Sequence, residues 1–150
     1  MQLTKEKIIE DFKLRLHEDF MIKNAEATAD ERFIALAKLI KCYVMPDWLR
    51  HRAEIVKEQK KTAYYFSIEF LPGKMLQTNL LNLGIYDLVQ EALADLGVDL
   101  MDLVDAERDM ALGNGGLGRL ASCFMDSLPT IGAPGFGNGI RYKYGLFKQK

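Results

Sequence analysis

Residues 111–127 read ALGNGGLGRLASCFMDS, four glycines within six positions followed by an arginine and an apolar run at helical spacing. Leu117, Leu120, Ala121, Phe124, Met125 and Leu128 recur every three or four residues, which predicts a helix that starts inside the glycine run and buries that face as far as Pro129. The first amides of a helix have no intrahelical partner and stand at the positive end of its dipole, so glycines there let a phosphate approach the backbone. The same glycines also suit a tight turn and close backbone packing with no ligand at all. Spacing alone leaves both readings open. Arg119 either adds a positive charge to the turn or pairs with an acid nearby.

Two nucleotide readings fail on context. Gly113, Gly115 and Gly118 satisfy G-x-G-x-x-G, but a dinucleotide fingerprint follows a buried strand and is answered about twenty residues later by an acid for the ribose. Here the preceding DLVDAERDM is acidic and strand-poor, and the region beyond reads GFGNG. A Walker loop ends in Gly-Lys-Ser/Thr, whereas this one ends Gly118-Arg119-Leu120, which excludes ATP or GTP in that mode.

Upstream, Ile8, Ile9, Phe12, Leu16 and Phe20 form the stripe of a first helix, with Lys5, Lys7, Glu10, Asp11, Lys13 and Glu18 mostly on its wet side. A capping box, Thr28-Ala-Asp-Glu31, predicts a second helix with Phe33, Ile34, Ala37, Ile40 and Val44 facing the core and an interruption or kink at Pro46. Residues 1–61 thus read as a helical layer. TAYYFSIEF, residues 62–70, has the β-branched and aromatic alternation of a strand, ended by Pro72-Gly73. Three short helices are expected over residues 74–83, 85–96 and 99–104, the second with Ile85, Leu88, Val89, Ala92, Leu93 and Leu96 on one face. GIRYKYG, residues 139–145, alternates like a further strand. No internal repeat or linker interrupts the chain.

The 150 residues have the size of one domain, and 49% hydrophobic content suffices for a sizeable core. A net charge of −1, from 20 basic and 21 acidic residues, argues against nucleic acid or an anionic membrane as a partner. The charge-interrupted amino terminus has no run near the ~18 apolar residues of a membrane span, and the expected location is the cytoplasm. Cys42 and Cys123 lack metal-ligand spacing and are expected as reduced, buried packing residues. His17 and His51 sit in charged contexts that predict surface positions, and Glu69 reads by itself as a solvated strand-edge carboxylate. The tyrosines of YYFSIEF and RYKYG read as core and rim. No Ser-His-Asp set, Cys-His pair or metal cluster assembles from these residues. The abrupt end at GLFKQK, directly after a strand-like alternation, suggests a piece of a longer chain.

Four segments in order, YYFSIEFLPGKML (64–76), NLLNLGIYDLVQEALADLG (79–97), ALGNGGLGRLASCFMDSLPT (111–130) and GIRYKYGLFKQK (139–150), resemble the amino-terminal part of the α-glucan phosphorylases, the glycogen, starch and maltodextrin enzymes. The resemblance is dense from about residue 62 onward and looser before it. It implies an α/β fold of the glycosyltransferase-B type, two Rossmann-like domains facing a cleft, truncated within the first domain: 1–61 would be the helical layer and 62–150 the start of the catalytic half. The implied reaction is reversible phosphorolysis of an α-1,4-glucan by inorganic phosphate to glucose 1-phosphate, with retention.

By the same resemblance the phosphates of substrate and of the cofactor pyridoxal phosphate lie near Gly115 and Gly116, with the Gly116 amide as direct donor, while Asn114 and Leu117 line the glucosyl site. Glu69 matches a family carboxylate near the substrate pocket. The Schiff-base lysine belongs to the absent carboxyl-terminal domain, so no catalytic residue is assigned here, no cofactor is expected on the piece, and the piece alone is expected to be inactive. A homodimeric parent and a bacterial source are expected. Pro72, Lys74, Ala111 and GFGNG depart from the usual family pattern, and the basic, serine-containing phosphorylation stretch of animal muscle-type enzymes is missing. The rival readings are a noncatalytic glucan-binding or regulatory module, a dinucleotide oxidoreductase and a sugar-nucleotide-dependent synthase.

Overall fold

The computed structural model describes residues 3–140 and 142–144. In chain order the elements are α1 (Lys5–Phe20), a 3-10 turn (Asn24–Glu26), α2 (Ala29–Lys57), β1 (Ala63–Phe66), β2 (Phe70–Gly73), α3 (Leu76–Asn82), α4 (Tyr86–Ala94), α5 (Leu100–Ala106), β3 (Met110–Leu112), α6 (Gly116–Thr130) and β4 (Gly135–Asn138). The chain is helix-rich with two small sheets. It forms two units, one of Met1–Trp48 and Lys74–Arg108, the other of Leu49–Gly73 and Asp109–Lys150.

The first unit is helical. Ile8, Phe12 and Leu16 of α1 are fully buried, as their spacing predicts, and Thr4 caps the helix by accepting the Lys7 amide at 3.3 Å. They share one core with Leu36, Leu39 and Ile40 of α2, Leu80 of α3, Val89 and Leu93 of α4 and Leu100 and Leu103 of α5. The α4 face is the one expected. The α2 face is rotated from expectation: Ala35, Leu36 and Leu39 are buried and Ile34 is exposed. Phe33-Ile34-Ala35-Leu36 offers two overlapping apolar stripes, and the one that joins the shared helical core is buried.

Thr28 and Glu31 form the expected capping box, with the Thr28 amide and hydroxyl donating to Oε2 of Glu31 at 2.8 Å and Thr28 Oγ1 accepting the Glu31 amide at 3.3 Å. Pro46 does not end α2, which continues to Lys57 although the Cys42 carbonyl loses its usual i+4 donor. Asp11 joins α1 to α2, accepting from Lys7 Nζ at 2.7 Å and from the Tyr43 hydroxyl at 2.9 Å. Burial and then the hydrogen bond to Asp11 push the Tyr43 phenol well above its ordinary value.

In the second unit the expected strand over 62–70 is broken into two. Ser67 Oγ accepts the Glu69 amide at 3.2 Å, a local bond that competes with the ladder and turns the chain from one sheet to the next. β1 pairs parallel with β4, Ala63 opposite Gly135 and Phe66 opposite Asn138. β2 pairs antiparallel with β3, and Pro72 lies inside β2 where three residue steps face two on β3, a bulge that tolerates its missing N–H. The expected strand at GIRYKYG is corrected. The strand comes earlier, at Gly135–Asn138, and Gly139, Ile140 and Tyr142–Tyr144 are outside it; Arg141 and 145–150 lie outside the described residues.

α6 packs on β2 and β4 through a narrower face than its stripe predicts. Gly118, Ala121 and Ser122 are buried, Met125 and Leu128 half-buried over Gly137 and Gly135, while Leu117, Leu120 and Phe124 are exposed. The helix turns its smallest residues to the sheet because these allow close approach, and two-stranded sheets are too narrow to cover the full stripe. Tyr65 meets Phe124 and Phe70 with ring centroids 5.5 and 6.2 Å apart, and Tyr64 stacks on its strand partner Phe136 at 5.6 Å.

Replacing Phe12 by alanine is expected to lower the unfolding free energy by about 3–5 kcal/mol in urea denaturation, because the ring is removed from a core that cannot collapse around it. The Thr28 donors hold the Glu31 carboxyl below its ordinary 4.5, so its contribution is complete above that value and is lost as pH falls through the lowered one. Glu31→Gln is therefore expected to destabilise the chain at neutral pH, with the difference from the parent shrinking in denaturation curves taken below pH 4.5.

Candidate functional site

The antiparallel pairing of β2 with β3 sets Phe70 opposite Leu112, so the next residue of each strand outward, Glu69 and Gly113, come side by side. Gly113 has φ +102°, and a Cβ there would run into the Cβ, Cγ and Cδ of Glu69. A Cβ on Gly118 would stand 2.9 Å from Leu71 Cγ and 3.0 Å from Glu69 Cβ. Gly115 and Gly116 are different. Only Oε2 of Glu69 approaches the Cβ position of Gly115, at 3.9 Å, and nothing lies within 4 Å of that of Gly116. The glycines of the run thus divide by residue: Gly113 and Gly118 are required by packing, while packing does not require glycine at Gly115 or Gly116.

Gly115 is the N-cap of α6, and its carbonyl accepts the amides of Gly118 at 3.1 Å and Arg119 at 3.2 Å. The amides of Gly116 and Leu117 come ahead of these first intrahelical donors, at the positive end of the helix. Asn114, Gly116 and Leu117 are exposed, Gly115 and Glu69 half-buried. Arg119, in the first turn of α6, donates from Nη1 to the Leu71 carbonyl at 3.4 Å rather than to an acid. Around the turn stand the first amides of α6, the Asn114 amide side chain and the Glu69 carboxylate that β2 brings beside them, a set that pairs donors for an oxyanion with a group that can hold a proton or a hydroxyl. The preceding strand is not the buried parallel strand of a dinucleotide site, because β3 is three residues long, antiparallel and largely exposed.

Residues 93–150, which include this turn, match the carbohydrate phosphorylases. The chain is 49% identical over 124 residues to a protein named glycogen phosphorylase from Chlamydia trachomatis serovar D, an alignment covering 83% of this chain and 15% of that protein. The corresponding figures are 43% over 141 residues for the Bacillus subtilis glycogen phosphorylase, covering 88% and 18%, and 41% over 139 residues for the human brain form, covering 93% and 16%. The chain belongs to the carbohydrate phosphorylase family. It spans 15–18% of the length of these relatives, bacterial and mammalian.

This phosphorylase-family chain also carries an open groove of about 370 Å³ that the sequence did not signal. Phe66, Ser67, Ile68, Asn138, Gly139 and Ile140 line it, beyond the carboxyl ends of the parallel strands β1 and β4. Its position depends on a pairing between segments some seventy residues apart, which no local spacing encodes. His17 and His51 are exposed, as expected. Cys42 and Cys123 are free thiols but exposed, contrary to the expected burial, because both fall off the packed faces of α2 and α6. Among the described residues no group of three or more His, Cys, Asp or Glu is arranged to hold a metal ion, and no helix is long and apolar enough to cross a membrane.

The division of labour among the glycines is testable by alanine. Gly113→Ala is expected to destabilise the chain by more than ~1 kcal/mol, since it meets both a positive φ and the Glu69 side chain. Gly116→Ala is expected to be neutral or stabilising by up to ~1 kcal/mol in the same denaturation assay, being a helical position with open space.

Proposed function

We propose that this chain is the amino-terminal part of a phosphorylase of two Rossmann-like domains facing a cleft. The enzyme cleaves α-1,4-glucans, glycogen or maltodextrin, from the nonreducing end by reversible phosphorolysis to glucose 1-phosphate, with retention at the anomeric carbon. In this reading residues 1–61 are its helical layer and residues 62–150 the start of its catalytic half. The observation that carries the reading is the open Gly115–Gly116 backbone at the start of α6, with Glu69 held against the same turn. The names of the relatives support the substrate class.

The Gly116 amide donates to the phosphate, inorganic or sugar-bound, and the helix end stabilises the negative charge there. Asn114 and Leu117 line the glucosyl site, and Glu69 contributes a carboxylate beside it. The turn orients the phosphate rather than forming a bond to it, so its effect is positioning and electrostatic stabilisation. Because the outward amides suit a phosphate group, Gly115 and Gly116 also fit the phosphate end of pyridoxal phosphate. When bound, that cofactor supplies a phosphate that exchanges a proton with the substrate phosphate. Its Schiff-base lysine is assigned to sequence beyond these 150 residues, so the chain alone is inactive, and the parent is a cytoplasmic homodimer.

The test is glucose 1-phosphate release from maltodextrin by the full-length parent and by this chain, with and without inorganic phosphate. Phosphate-dependent product from the parent and none from the chain is expected; a folded, cofactor-loaded parent that gives none overturns the reading. Gly116→Pro in the parent deletes one amide at the first helical position, where proline is tolerated, and is expected to lower phosphate-dependent turnover tenfold or more, on the order of 1.5–3 kcal/mol for a hydrogen bond to a charged group.

A further inference from the structure

Among the described residues Glu107 is the charged side chain that is buried, only 7% exposed, and no part of the phosphate reading uses it. Its carboxylate accepts the amides of Met75 at 2.8 Å and Leu76 at 2.9 Å, capping α3, whose own N-cap residue Met75 provides no side-chain cap. The lacing runs the other way as well. Lys74 Nζ donates to the carbonyls of Val104 and Asp105, both at 3.2 Å, and so covers the last turn of α5. Residues 74–76 and 104–107 are thereby tied in both directions by four hydrogen bonds.

These two segments continue directly along the chain into β2 and β3, whose nearest paired residues are Gly73 and Met110. The β2–β3 ribbon is poorly equipped to choose its own register. Its strands have four and three residues, and the bulge at Pro72 sets three steps against two. A slip of one residue would take Glu69 off Gly113 and turn its side chain to the other face.

We propose that Glu107, with Lys74, is a register pin for the β2–β3 ribbon and hence a positioning residue for Glu69 on the glycine turn. The carboxylate fixes where the strand ending at Gly73 begins its next helix, and the Lys74 ammonium fixes the end of the helix that leads into β3. With both ends held, Phe70 can face only Leu112, and the following pair is Glu69 with Gly113. This assignment does not depend on which ligand the turn binds.

The experiment is NMR on the 150-residue chain, reading nuclear Overhauser contacts between the Glu69 side chain and the Gly113 α protons, together with amide exchange. In Glu107→Ala the Glu69–Gly113 contacts are expected to disappear while those among Ile8, Phe12 and Leu93 persist, and the Met75 and Leu76 amides are expected to exchange about tenfold faster or more. If Glu107→Ala folds and the Glu69–Gly113 contacts survive, the proposal is overturned. Should Glu107→Ala not fold, Lys74→Met decides in its place: loss of the contacts supports the pin and their retention overturns it.

Discussion

The side chain of Glu69 lies where a Cβ of Gly113 would be, and against the Cβ position of Gly118. Any other residue type at these two positions would force strand and helix apart, because protein interiors do not hold overlapping atoms and the positive φ of Gly113 adds backbone strain. The packing of α6 on β2 follows from this closeness, and so does the exposure of Leu117, Leu120 and Phe124, since a helix that meets a sheet through glycine and alanine turns its larger residues away. The same contact brings a carboxylate oxygen near Gly115 at the positive end of α6. One close contact therefore links the packing of α6 on β2 to the charge beside the glycine turn.

The first unit is held differently. Its core is conventional apolar packing around Phe12, and polar groups finish the helix ends: Thr4 for α1, the Thr28–Glu31 box for α2, Asp99 for α5 by accepting the Met101 amide, and Glu107 for α3. Three of these caps are local, within two or three residues of the helix start. Glu107 is the exception, reaching across more than thirty residues, and a buried carboxylate is tolerable there because each oxygen accepts a backbone amide.

The chemistry of the turn rests on a division among residues of one type. Gly113 and Gly118 are needed for shape, whereas Gly115 and Gly116, at the start of α6, have room where a Cβ would stand. A glycine motif read as a single signal merges these roles, which explains why G-x-G-x-x-G matched to the letter while its usual context was absent.

Local patterns were legible wherever the physics was local. The α1 stripe, the α4 face, the Thr28–Glu31 box and the start of α6 inside the glycine run all depend on residues within a few positions of one another, where helical periodicity and capping geometry act. What failed depended on partners far along the chain. Ser67 broke the strand over 62–70 because β4 and β3 each claim one end of it, α2 turned Ile34 outward because Ala35, Leu36 and Leu39 joined a core shared by several helices, and the cysteines lost their burial to the choice of helix face. The sequence by itself determined where most helices lie, the Thr28–Glu31 cap and the family. Only the tertiary structure decided that Glu69 rests on Gly113, because close approach is a relation between two backbones more than forty residues apart and no periodicity records it.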